Sequence, residues 1–237
     1  MDRSRDALMV FAKYPRLGRV KTRLQDLLTA RQCLDLYRAL LADVLQRSEG
    51  LPVALHLFLA GCSPPQAGSL VASLGGDSGR WKVHLQEGED LGERMENAYR
   101  RLSPRYWRLV FLGADSPDLP LDRLREAFRC LARLPVVIGP SSDGGYYLLG
   151  LAQARPALFR GIDWGSRRVL EQTLQRLDPG EVRLLQEWYD VDRSRDLRRL
   201  WRHLDPEQEG FPARTADFLR QCPQTGAFNE PQPEGAS

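Results

Sequence analysis

The stretch ALMVFAKYPRLGRVKTRL, residues 7–24, decides how this chain is read. Its first six residues form a short, uncharged apolar run, the pattern of a strand buried on both faces of a sheet. The chain then gathers Lys13, Arg16, Arg19, Lys21 and Arg23 around Gly18. A solvated helix start would account for these charges, and so would a cradle for phosphates. In the second reading Gly18 lets the backbone approach a ligand, and a helix beginning near Val20 turns its amides and dipole toward an anion. Lys and Arg would add charge-assisted hydrogen bonds. The P-loop pattern GxxxxGK[ST] is absent, so a phosphate site here would be of another kind.

Working outward, the same kind of apolar run recurs. PVALHLFLA (52–60), WKVHLQE (81–87), WRLVFLGA (107–114) and PVVIGP (135–140) are short and bounded by Gly, Pro or charge, as strands are. Between them, residues about 21–48, 64–74, 91–102 and 121–133 carry apolar residues at helical spacing, as in Leu34, Tyr37, Leu41 and Leu45. Strand followed by helix, repeated, predicts an α/β fold: a mainly parallel central sheet with helices on both faces. YYLLGL (146–151) and EVRLLQE (181–187) add two strands on either side of a helix near 166–178. Without an internal repeat or long linker, the 237 residues predict one domain over 1–222. The Pro-, Gly- and Gln-rich residues 223–237 read as a disordered tail.

Composition narrows the function. Hydrophobic residues make up 42% of the chain, enough for a sizeable core. Lys+Arg total 34 against Asp+Glu 31, too even a balance to predict a nucleic-acid or anionic-membrane partner. Cys33, Cys62, Cys130 and Cys222 are scattered with no CxxC pair, which argues against zinc and for free thiols in a reducing compartment. No run has the length of a secretory signal or a membrane span, so a cytoplasmic location is expected.

In open parallel sheets, ligands bind beyond the carboxyl ends of the strands. There this sequence places the basic loop and three acidic ones: LGADSPDLP (112–120), GPSSDGGYY (139–147) and YDVDRSRDL (189–197). One cationic and three acidic loops on one rim suit a polyphosphate and a divalent cation sharing a site. Asp115 lies just past a strand in a loop stiffened by Pro117 and Pro120, and is the favoured metal ligand. Asp118 or Asp122 fits better as a cap for the helix near Leu121. Asp190 and Asp192, two apart on an extended segment, would face one side and reach the same ion, although Asp192 could instead cap a helix near Ser194. Gly144 and Gly145 beside Asp143 mark either a close backbone approach or a plain hairpin turn. In GEDLGERM (88–95), Gly92 and Arg94 could meet a nucleotide, while a simple helix start with Glu93 near its N-terminus is the more economical reading. His56, His84 and His203 share no spacing and read as structural or exposed.

FAKYPRLGRVKTRL, DLGERM, LGADSPDLP, GPSSDGGYYLLGL, GIDWGSRRVL and YDVDRSRDL occur in this order between about residues 7 and 198. In that series the chain resembles a family of small GT-A-type, nucleotide-diphospho-sugar-transferase-like proteins. Members are associated with radical-SAM enzymes and commonly labelled arsenosugar-biosynthesis glycosyltransferases. It is also distantly similar to 2-phospholactate guanylyltransferases. The resemblance implies a GT-A fold and a Mg²⁺- or Mn²⁺-dependent glycosyltransferase taking a nucleotide-sugar donor and a small-molecule acceptor. A nucleotidyltransferase releasing pyrophosphate is the alternative, and a non-catalytic nucleotide-binding protein a second one. Carried over by position, Ala12, Lys13, Gly18, Lys21, Arg23, Gly92 and Arg94 would bind the nucleotide and its phosphates. Asp115, Asp190 and Asp192 would hold the metal, and Asp143 and Lys21 would act in catalysis, Asp143 as general base. Gly144, Gly145, Trp164 and Ser166 would line the acceptor side. Relatives read WSTPRVL where this chain has Trp164, Gly165, Ser166 and Arg167, a change on that acceptor-side loop. A monomer or homodimer is expected.

Overall fold

The structure, a computed structural model, describes residues 5–207 and 209–225. Its sheet holds β1 (Asp6–Lys13) as an interior strand, and the opening apolar run explains why. Side chains alternate along a strand. Leu8, Val10 and Ala12 enter one core, while Ala7 and Met9 enter another on the opposite face. The first core is closed by α1 (Ala30–Ser48) through Tyr37, Leu41, Val44 and Leu45. The second is closed by α3 (Leu91–Leu102) through Met95, Ala98 and Tyr99.

Around β1 lie β2 (Ala54–Ala60), β3 (Trp81–Leu85), β4 (Arg108–Gly113), β5 (Val136–Pro140), β6 (Tyr146–Leu151) and β7 (Val182–Leu184). The order across the seven-stranded sheet is β3-β2-β1-β4-β6-β5-β7. All neighbours run parallel except β6, which is antiparallel to both β4 and β5. The expected mainly parallel sheet is thus present. The turn at residues 141–145 is too short for a crossover and therefore forces the one reversal. The remaining helices are α2 (Pro64–Ser73), α4 (Leu121–Cys130), α5 (Val169–Leu174), α6 (Ser194–His203) and α7 (Ala213–Gln221).

The structure corrects the helix expected over residues 21–48. Residues Thr22–Leu24 form a single 3₁₀ turn, and α1 begins only at Ala30 behind a Thr29–Gln32 capping box. Lys21 is the cause: it sits in the left-handed region at φ 49°, which no helix can pass through. Leu24 and Leu28 nevertheless keep buried positions, in a third core shared with α1, α6 and α7. No helix N-terminus stands at Val20, so the dipole argument for an anion there falls away.

After β7 the chain continues extended along the edge of β5. Leu185 N donates to Ile138 O (2.8 Å) and Trp188 N to Pro140 O (3.0 Å), before Val191 N reaches Asp115 O beyond β4 (2.9 Å). That path carries YDVD across the carboxyl ends of the strands. At the chain's far end Pro223–Thr225 forms a turn against α7, with Thr225 Oγ1 donating to Cys222 O (2.7 Å). The rest of the expected tail, 226–237, lies outside the described residues. The four cysteines are free thiols. Among the described residues no helix is long and apolar enough to cross a membrane.

The histidines hold a contact that spacing did not reveal. His56 on β2 and His84 on β3 meet Nδ1 to Nε2 at 2.9 Å with rings stacked, and the His56 Nε2 atom is buried without a partner. Burial holds His56 down to about 3 and His84 to about 4, helped by Lys82, Arg101 and Arg105; Tyr106 packs edge-on against His56. Both rings are therefore neutral in the folded protein, while the unfolded chain takes up protons below its ordinary value of about 6.5. Stability should change little above pH 6.5 and fall as pH drops from there toward 4. Between pH 7 and 5 the loss should be up to about 2 kcal/mol for buried His56 and less for the more exposed His84. Urea denaturation across that range should show this slope in the wild type and a flatter one in His56→Phe. Equal slopes would refute the assignment.

Candidate active site

Four segments meet at the carboxyl ends of β1, β4 and β5: the basic loop, the 114–120 loop, the 141–145 turn and residues 188–192. Asp115 and Asp190 come together there. Ser116 Oγ lies 2.8 Å from Asp190 Oδ1 and 3.0 Å from Tyr189 O, and Ser141 Oγ donates to Asp190 Oδ2 at 3.0 Å. Asp190 is thus fixed by hydroxyls from both neighbouring loops. Burial raises its carboxyl to about 6, and the charges of Asp115 and Asp143 push the same way against Ser116 and Lys21. Carboxylates that repel one another in a half-buried site favour a cation between them.

Lys21 supplies one. Its Nζ stands 2.6 Å from Asp115 Oδ1 and donates to Val191 O, also at 2.6 Å. Asp115 Oδ1 is shut off from solvent and accepts no well-aligned hydrogen bond, so the lysine meets it chiefly as a charge. Lys21 is the single non-glycine residue with positive φ among the described residues. Such a backbone costs about 1–2 kcal/mol and persists only where contacts hold it. Two positions on, Arg23 pairs with Asp192 at 2.5 Å. Val191 between the two aspartates is fully buried; Asp190 goes to Ser116 and Ser141, and Asp192 to Arg23. Asp192 does not cap α6; Arg193 holds the N-cap position, and Asp196 accepts from Arg193 N (2.8 Å). Among the described residues no group of three His, Cys, Asp or Glu is close enough to hold a metal. Asp192 is drawn to Arg23 instead.

Asp118 does not cap α4 either, and nor does Asp122: Pro120 is the N-cap, with no side-chain cap bond. Asp118 is buried, accepting from Tyr189 Oη at 2.5 Å and Trp188 Nε1 at 3.4 Å. Beneath the same loop Arg47 donates to Ser116 O (3.0 Å) and to Pro117 O. Ser116, Ser141, Arg47 and Tyr189 were missed by sequence reasoning. The two serines stood inside the quoted acidic motifs, next to residues already chosen. Arg47 and Tyr189 gave no signal, because they act through contacts 69 or more residues apart.

On the far side, Asp143 is exposed, with Oδ1 accepting from Gly145 N at 3.0 Å. A Cβ on Gly144 would meet Arg167 O at 2.2 Å, so this glycine marks a close backbone approach to the 163–169 loop. Leu170 N donates to Gly144 O (3.0 Å), and Ser166 Oγ accepts from Arg168 N (3.1 Å). Trp164 packs edge-on to Tyr146 and against Gly92, where a Cβ would lie 2.4 Å from its Nε1 and 2.0 Å from Phe159 O. The positions expected on the acceptor side are therefore contiguous, and Gly92 joins them. Arg94 closes its own loop by donating to Gly88 O (3.0 Å) and Glu89 O (3.1 Å), and Asp90 caps α3 from Glu93 N (2.8 Å). Ala12 is buried, and its carbonyl accepts from Gln86 Nε2 (3.2 Å). Lys13 is exposed at the end of β1, its backbone clasped by Tyr37 Oη at 2.9 and 3.0 Å. Gly18, at φ 70°, has open space where a Cβ would be.

A sheet of this order, with acidic loops facing a basic one at its carboxyl rim, defines an α/β protein of the nucleotide-diphospho-sugar-transferase type. Over 95% of its length the chain is 32% identical to a crystal structure described as a candidate nucleotide-diphospho-sugar transferase, from Desulfovibrio desulfuricans G20. The match covers 96% of that chain with a TM-score of 0.83. The chain belongs to the DUF2064 family, described as an uncharacterized protein conserved in bacteria, whose profile matches residues 41–166. The fold is shared more distantly with 4-diphosphocytidyl-2C-methyl-D-erythritol synthase from Anaerococcus prevotii DSM 20548 (9% identity, 93% and 98% coverage, TM-score 0.55). Glucosyl-3-phosphoglycerate synthase from Mycobacterium tuberculosis, solved with Mg²⁺ and UDP, shares it too (11% identity, 82% and 74% coverage, TM-score 0.51). No curated protein matches the sequence.

Proposed function

We propose that this protein is a divalent-cation-dependent glycosyltransferase that takes a nucleotide-sugar donor and a small-molecule acceptor. The observation that carries this reading is Asp190, braced by Ser116 and Ser141 within the field of the Asp115 charge, beside a loop of five cations. The 32% identity to a candidate nucleotide-diphospho-sugar transferase supports it. The donor set fits Mg²⁺ or Mn²⁺: hard carboxylate oxygens on a rigid frame, one of them, Asp115 Oδ1, buried without a hydrogen bond. Asp115 and Asp190 would hold the ion, joined by Asp192 once Arg23 turns to phosphate. When bound, the ion supplies positive charge for the departing nucleoside diphosphate. Lys13, Arg16, Arg19 and Arg23 grip the donor's phosphates and orient its sugar toward the 141–145 turn. Asp143, exposed on that turn, accepts the proton of the acceptor hydroxyl as it attacks the sugar carbon. Trp164, Gly144, Gly145 and Ser166 shape the acceptor's side. Balanced charge supports a protein that works without nucleic acid or membrane; a cytoplasmic location and a monomer or homodimer complete the proposal.

A panel of nucleotide sugars and nucleoside triphosphates, each incubated with and without Mn²⁺, tests this reading. Mn²⁺-dependent release of nucleoside diphosphate from a nucleotide sugar is expected. Pyrophosphate release from a triphosphate would instead make the protein a nucleotidyltransferase. Neither product, with nucleotides still raising the melting temperature, would leave a non-catalytic binder.

A further inference from the structure

Lys21 differs from the rest of the basic loop. Lys13, Arg16, Arg19 and Arg23 are exposed, whereas the Lys21 side chain is 3% exposed and points into the carboxylates. Its ammonium lies between a carboxylate oxygen of Asp115 and the carbonyl of Val191, each at 2.6 Å. A carboxylate oxygen and a backbone carbonyl are what a hard divalent cation takes. The backbone of Lys21 is left-handed, a conformation that side-chain-bearing residues leave when their contacts are released. From these observations we infer that Lys21 is the resident counter-ion of the Asp115–Asp190 pair, and that loading the site is a cation exchange. The divalent ion takes Asp115, and the displaced ammonium swings to the rim where the donor's phosphates enter.

The charges support this order of events. Two carboxylates and one ammonium sum to −1, which attracts a divalent cation and repels a diphosphate. With the ion added and the ammonium retained the site is +1, suited to an anionic donor. Cation and donor therefore bind with positive coupling through Lys21, and each strengthens the other by the same factor. The inference rests on the metal reading of the site given above and is independent of which group is transferred.

The chain has three lysines, Lys13, Lys21 and Lys82, and the other two are exposed, so they serve as internal controls. Full-length protein is acetylated with an N-hydroxysuccinimide ester, with and without saturating Mn²⁺, and each lysine is quantified by peptide mass spectrometry. Calorimetry on the same samples measures Mn²⁺ binding. Lys13 and Lys82 should label equally in both states. Lys21 should be protected in metal-free protein, label several-fold more with Mn²⁺, and become protected again when a nucleoside diphosphate is added. Lys21→Met should bind Mn²⁺ roughly tenfold more tightly without nucleotide, having lost a competing like charge. If Mn²⁺ binds while Lys21 stays protected, or binds Lys21→Met no more tightly, the exchange is overturned and the metal reading stands. Absence of Mn²⁺ binding in both proteins would overturn the two together.

Discussion

Asp115→Asn is expected to abolish turnover and to weaken Mn²⁺ binding at least tenfold while leaving the far-UV spectrum unchanged. The substitution preserves the shape of the side chain and removes the anionic oxygen that a hard cation requires. The loop itself is held by backbone contacts that Asn keeps: Val191 N to Asp115 O at 2.9 Å and Arg47 to Ser116 O at 3.0 Å. Loss of the Asp115 charge also lets Asp190 ionise more readily, because that charge is among the causes of its raised carboxyl. The variant should thus keep a competent Asp190 and still fail. Mn²⁺ titration by calorimetry alongside a turnover assay decides the matter. Normal metal affinity with near wild-type activity would remove Asp115 from the site.

Arg47→Met should cost about 3 kcal/mol of unfolding free energy, the scale for removing a buried charged donor from carbonyls and nearby carboxylates. Arg47 lies in α1, buried, with Asp43 and Asp118 as its counter-charges. Deleting it takes the Arg47 charge away from both buried carboxylates, removes a donor to Pro117 O and leaves Ser116 O with Leu119 N alone at 3.3 Å. Asp43 retains Thr215 N at 2.7 Å, so α7 should stay docked, and Asp118 retains its bonds from Tyr189 and Trp188. Urea denaturation gives the comparison, with Arg125→Met as control. Arg125 pairs with Glu209 at 2.7 Å on the exposed surface, where such pairs contribute about 0–1 kcal/mol. Equal losses in the two variants would show that the buried network carries no special share of stability.

Much of the fold was legible because strands buried on both faces leave an unmistakable trace. ALMVFA, PVALHLFLA and WRLVFLGA are apolar without alternation, and only a parallel sheet covered by helices can bury both sides of them. The antiparallel β6 was less legible, since YYLLGL has the same composition as its parallel neighbours. Only the short loop before it betrays the reversal. The false helix at residues 21–28 came from a local pattern. Val20, Leu24 and Leu28 do recur at helical spacing and are buried, but they are buried by a turn. The left-handed Lys21 that breaks the helix also carries a salt bridge to Asp115, 94 positions away in the chain.

By itself the sequence determined which loops end at the carboxyl rim, and that one of them is basic and three acidic. This follows from strand order and residue type alone. Only the tertiary structure decided how these charges are shared out. Asp190 is braced by serines from two other loops, Asp192 goes to Arg23, Asp118 turns inward to Tyr189, and Lys21 lies on Asp115. Partner choice among charges depends on angstrom-scale separation and burial, because the interaction falls with distance and with solvent screening. Neither quantity is encoded by a residue's neighbours in sequence.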